Sequence, residues 1–186
     1  IVYDGGEAGR FSYAYSGNFG DASNRLMYVP NNASELQFQE FSLGGERITA
    51  ARQAELLNAY IDQDDYLSSR RGQVAERNGA KRPWVHSFDL RLTQDINITK
   101  DAKNRLQLSL DFLNVGNLLN SAWGIPQFEF QDNLLNYRGV DAATQQPIYR
   151  LNTIPGTSDF PTETFRNSTS LGNTWRLQVG ARYIFN

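Results

Sequence analysis

The chain has 186 residues, a formal net charge of −2, 40% apolar and 12% aromatic residues, and no cysteine. That balance excludes an electrostatic binder of nucleic acid, which needs a basic excess, and it excludes a disulfide framework or a cysteine zinc site. Mean hydropathy is −0.53, and no window approaches the ~18 consecutive apolar residues of a spanning helix. Strands that are apolar on one face only escape that test.

The first strand is expected over residues 1–16. It is cleanest where Phe11, Tyr13 and Tyr15 alternate with Ser12, Ala14 and Ser16, and Gly5, Gly6 and Gly9 suggest a bulge within it. In the long loop 17–83, Thr49 can cap a helix in which Ala54, Leu57 and Ile61 recur at helical spacing, ending near 62–65. Residues 66–79 are too charged for a core and close on the Asn78-Gly79 turn signal. A second strand over 84–98 sets Phe88, Leu90, Leu92 and Ile96 against Ser87, Asp89, Arg91, Thr93, Asp95 and Asn97. After the short turn 99–104, a third over 105–115 sets Leu106, Leu108, Leu110 and Phe112 against Gln107, Ser109 and Asp111. The second long loop, 116–171, carries Phe128, Phe130 and Tyr137, then Ile148 to Leu151 beyond a turn-prone 141–147, the pattern of a hairpin. The last strand, 172–185, alternates most regularly. Trp175, Leu177, Val179, Ala181, Tyr183 and Phe185 share one face, while Thr174, Arg176, Gln178, Gly180 and Arg182 share the other, with Ile184 as the single break.

Arginines on one face of a strand and aromatics at both ends of the opposite face are the pattern of a transmembrane β-barrel. Short turns alternating with long loops fit the two sides of an outer membrane. The expected fold class is therefore all-β: the last four antiparallel strands of a transmembrane barrel with two long extracellular loops, one containing a short helix. A lipid-embedded sheet must close, and such barrels start at about eight strands, so further strands are expected ahead of Ile1. The chain opens without methionine, as a piece left after an amino-terminal part would. A soluble antiparallel domain with long loops is the competing reading of the alternation.

Particular residues weigh between the two. Residues 66–79, YLSSRRGQVAERNG, are followed by Pro83-Trp84 and by FDLRL at 88–92; LQLSLDFLNVGNLLN occupies 106–120, and the chain closes on 175–185. In these stretches and their order the chain resembles the carboxy-terminal end of a TonB-dependent outer-membrane receptor, of the Bacteroidetes type with a carboxypeptidase-regulatory-like amino-terminal domain. The resemblance implies a barrel of about 22 strands filled by a plug, located in the outer membrane of a Gram-negative bacterium. It implies import of a small-molecule or oligomeric nutrient with energy from the TonB complex, received by a plug outside this sequence. Gln178, Gly180, Tyr183 and Phe185 resemble the family's signal to the barrel-assembly machinery, with Asn186 as a departure. A calcium site in the stretch 17–24, acidic in relatives, is not expected with its single acid.

No catalytic constellation, cofactor or metal site is expected; the chain is read as a non-enzyme. The lone His86 lies on the apolar face beside Trp84, a structural position at a membrane interface. Asn97-Ile-Thr99 and Asn167-Ser-Thr169 match a glycosylation pattern that a bacterial membrane protein leaves idle. Arg70, Arg71, Arg77, Lys81 and Arg82 admit two readings: loop charge paired with Glu76 and neighbouring acids, or contact with lipopolysaccharide phosphates. If the turn 99–104 sets Asn97 opposite Arg105, Arg91 falls opposite Asp111 as a lumenal pair, within a wall of Asp89, Asp95, Arg176 and Arg182. Loop aromatics such as Tyr28, Phe38, Tyr60, Tyr66, Trp123, Phe128 and Tyr137 are read mostly as packing within the loops, with ligand contact from outside as the other reading; a soluble β-rich carbohydrate-binding module using exposed aromatics, and a passive porin, are the alternative functions.

Overall fold

The computed structural model describes residues 1–20, 25–100, 104–168 and 170–185. Residues 21–24 of the glycine-rich stretch, 101–103 of the tight turn, Thr169 and Asn186 lie outside them. Strand dominates at 42% with little helix, so the chain is all-β, and no described helix is long and apolar enough to cross a membrane. It divides into two compact units: residues 1–8, 83–127 and 167–186 form one, and 9–82 with 128–166 form the other.

The first unit is a meander of four antiparallel strands, β1 (Val2–Glu7), β2 (Trp84–Asn97), β3 (Arg105–Leu113) and β4 (Arg176–Ile184), in that order. The 14 residues of β2 correspond to roughly 45 Å of strand at ~3.3 Å per residue. The hairpin between β2 and β3 closes through Ile98 N–H donating to Asn104 O at 2.9 Å and Asn104 N–H donating to Thr99 Oγ1 at 3.1 Å. Its register sets Asn97 against Arg105 and Arg91 against Asp111, as the turn length predicts. The sheet is open, with β1 and β4 as its edges.

After β3, Asn114 takes a left-handed backbone, φ 51°, and starts the one-turn helix Val115–Leu119. Two buried carboxamides organise this corner. Asn114 Nδ2 donates to Gly124 O at 3.1 Å and Asn173 O at 2.8 Å. Asn117 Nδ2 donates to Ser121 O and Trp123 O, both at 3.0 Å, and its Oδ1 accepts from Trp175 N–H at 3.2 Å. They pair backbone groups that the sheet ladder no longer serves at this corner.

The second unit has its own apolar core, in which Tyr13, Met27, Leu57, Ile61, Leu67, Leu134 and Leu135 are fully buried. Helix α1 (Ala50–Gln63) starts where expected, Thr49 Oγ1 accepting from Arg52 N–H at 3.2 Å, and buries Leu57 and Ile61. The hairpin of the second loop is Leu135–Val140 against Pro147–Leu151, with a bulge between Tyr137 and Gly139. Ser16–Gly17 and Gln37–Phe38 add to it in parallel, giving a four-stranded mixed sheet. Gln53, fully buried, ties α1 to this sheet: its Nε2 donates to Gln39 O at 2.9 Å and its Oε1 accepts from Leu151 N–H at 3.0 Å.

Two boundaries differ from expectation. The alternation predicts a first strand through residue 16, but β1 ends at Glu7, and Phe11, Tyr13 and Tyr15 belong to the core of the second unit. Gly9, at φ +107°, takes a left-handed backbone just past the end of β1. Alternating aromatics look the same in a sequence whether lipid or a protein core covers them. Likewise, residues 17–83 and 116–171 do not form two independent loops; most of them fold together as the second unit. Residues 66–79, expected outside any core, contribute Leu67 and Ala75 to it.

Candidate functional site

The sheet of the first unit has two chemically distinct faces. In register across it, Tyr3, Phe88, Leu92, Ile96, Leu106, Leu110, Val179 and Tyr183 lie on one face. Their apolarity does not bring burial: Trp84 is 55% exposed, Leu92 50%, Val179 70% and Phe185, just past the end of β4, 74%. The short helix Val115–Leu119 packs only near the Phe88 end, where an apolar pocket of about 430 Å³ lies between Trp84, Phe88, Trp123 and Ile125. An antiparallel sheet in water keeps one face packed on a core; among the described residues of this unit the rest of the apolar face has no such layer.

The other face is polar and paired along its rows. Arg91 Nε meets Asp111 Oδ1 at 3.0 Å, with Gln178 next in the same row. Asp95 Oδ1 accepts from Gln107 Nε2 at 2.9 Å, and Arg182 continues that row. Asp89 turns to the corner after β3, accepting from Asn114 N–H at 2.7 Å. The charged wall expected from sequence is therefore a wall of lateral pairs, with Arg176 at its end opposite Leu113.

Of the four residues resembling an assembly signal, Gln178 and Gly180 lie on the polar face, Tyr183 lies on the apolar one, and Phe185 follows two residues on. Gly180 sits opposite Ser109, whose Oγ would be 2.6 Å from an added Cβ. Tyr183 stacks on Phe185 with ring centroids 5.9 Å apart and donates to Asn104 Oδ1 at 3.1 Å. His86 is held on the apolar face by Tyr3, whose hydroxyl lies 2.9 Å from Nδ1. The Tyr3 ring lies over Gly5, in space that a Cβ would need, and contacts Phe88 at 5.0 Å between centroids. Sequence reasoning took Gly5 for part of a bulge; the Tyr-x-Gly spacing on an edge strand was the available signal, since an aromatic can cover a neighbouring glycine.

The basic run lies in the second unit, mostly engaged. Arg70 pairs with Glu76 and lies over the Tyr66 ring, its centroid 5.9 Å away. Arg71 binds Asp62 at 2.6 Å and donates to Asn31 O at 2.8 Å. Arg82 makes a two-pronged pair with Glu129, both contacts at 2.7 Å, which raises the guanidinium's affinity for its proton and holds the carboxyl below the usual range. Lys81 is engaged as well, and Arg77 is exposed. This arrangement favours loop charge paired with acids over a phosphate-binding cluster. Among the described residues no group of three or more His, Cys, Asp or Glu could hold a metal ion. A scan against protein-family models, a search of curated proteins and a search of solved structures each return no match.

Proposed function

We propose that this chain is the carboxy-terminal barrel segment of a TonB-dependent outer-membrane receptor that imports a nutrient. It contributes barrel wall and extracellular loops and no chemistry of its own. The observation that carries the reading is the sheet whose largely apolar face is exposed over much of its area and is backed by a face of paired charges. In hydrocarbon such a face is solvated, whereas in water its exposure is costly. The open edges of β1 and β4 then pair with the remaining strands of the receptor, since an unpaired edge in lipid costs several kcal/mol per group. The apolar face meets membrane lipid and lipopolysaccharide, the strand end meets the assembly machinery, and the plug ahead of this segment receives energy from the TonB complex. A passive porin would share the wall and lack the plug.

The test is an immunoblot of fractionated source cells with an antibody against residues 66–79. A band several times larger than 21.1 kDa in the outer-membrane fraction is expected. A soluble band near 21.1 kDa would sink the proposal and leave the carbohydrate-binding module.

A further inference from the structure

We infer that the apolar pocket on the sheet of the first unit holds one ester-linked acyl chain of a membrane lipid. Every residue that lines it lies in that unit. The inference deepens the transporter reading and rests on its lipid-facing sheet.

The pocket is continuous with the exposed apolar face, because Trp84, His86 and Phe88 belong to both. All three tryptophans of the chain lie at this end of the sheet. Trp84 begins β2, Trp175 directly precedes β4, and Trp123, beyond the short helix that follows β3, forms the pocket wall with Trp84. Tryptophan favours the border of a membrane, where its ring meets acyl chains and its N–H meets water.

Gly116 keeps the pocket open. A Cβ on it would lie 3.8 Å from Phe88 Cδ2 and 3.8 Å from Trp123 Cε3, which is ordinary contact, and its φ is not left-handed. Neither a clash nor the backbone requires glycine in this helix, where alanine is the better helix former. What glycine leaves is space between Phe88 and Trp123. At roughly 30 Å³ for each methylene, about the share of a water molecule, the 430 Å³ of the pocket takes about 14 methylenes, the length of one chain.

The few polar groups select the form of that chain. Among the described residues no lysine or arginine lines the pocket, so the carboxylate of a free fatty acid would find no counter-charge. An esterified chain has no such charge and brings a carbonyl acceptor. Of the two polar side chains in the lining, Gln127 is engaged, its Nε2 donating to Asn167 Oδ1 at 2.8 Å. His86 is the other. With the Tyr3 hydroxyl donating to Nδ1 at 2.9 Å, the ring hydrogen sits on Nε2, which has no hydrogen-bond partner among the described residues and can donate to the ester carbonyl.

Bromine on an acyl chain quenches a tryptophan that it touches. The test is therefore tryptophan emission from the full chain in micelles of a steroid detergent, which has no straight alkyl chain to compete. Trp175→Phe serves as the background, leaving Trp84 and Trp123 as the reporters, and phosphatidylcholine with a dibrominated second chain is titrated in. A quench that saturates at low mole fraction is expected, with Gly116→Leu and the exposed lining change Ala122→Leu each weakening the apparent affinity about fivefold or more. A quench that rises linearly with mole fraction, or one untouched by both substitutions, would overturn the inference and leave the lipid-facing sheet standing. Dibrominated stearic acid saturating the quench at lower concentration than the phospholipid would overturn it as well. No quench at any mole fraction would sink the inference and the lipid-facing sheet together.

Discussion

Asp64 joins three segments of the second unit. Its Oδ2 accepts from Tyr13 Oη and from Thr164 Oγ1, each at 2.6 Å, and its Oδ1 accepts from Leu67 N–H at 2.7 Å. Sequence showed Asp64 only as the end of a helix, because its partners lie 51 and 100 residues away. Burial, with the Tyr60 and Asp64 charges added, holds the Tyr13 proton far above the usual tyrosine range, and burial also pushes Tyr15 and Tyr60 upward. In an unfolded chain these hydroxyls titrate near ~10. Below that pH both states keep the protons and the stabilisation is complete; above it the unfolded chain sheds protons that the folded one retains, and stability falls as pH rises. The urea midpoint of the second unit is therefore expected to fall above pH ~10. Tyr13→Phe should flatten that fall while costing about 1–2 kcal/mol at neutral pH; an identical alkaline slope in the variant would remove Tyr13 from the account.

At the scale of the element, β2, β3 and β4 were legible because alternation over nine or more residues leaves little freedom of face. The pairing of Arg91 with Asp111 was legible for the same reason, since a short turn sets register. For β1 the strand was legible and its end was not, because the left-handed Gly9 (φ +107°) and the change of core after it follow from tertiary packing. The two faces predict opposite tolerance to charge. Under the proposed function, Val179→Arg should lower the amount of this chain in the outer-membrane fraction, an arginine near a bilayer midplane costing ~2–4 kcal/mol. Gln178→Arg, one residue away on the polar face, should leave that amount near wild type. Quantitative blotting of both variants checks the pair, and equal loss would argue against a lipid-facing side.

For the whole molecule, a sheet with an exposed apolar face and two open edges should self-associate in water. Light scattering of the isolated chain is expected to report aggregates that detergent micelles disperse; a stable monomer without detergent would count against the membrane reading. Periodicity and local hydrogen bonds sufficed for the all-β class, the three long strands with the face of each of their side chains, and the helix capped by Thr49. Long-range packing is what takes Phe11, Tyr13 and Tyr15 out of the sheet into a second core, makes two distant loops share that core, and engages Arg70, Arg71 and Arg82 with Glu76, Asp62 and Glu129. Those outcomes depend on which distant surfaces meet, and burial free energy is non-directional, so no local pattern encodes the choice of partner.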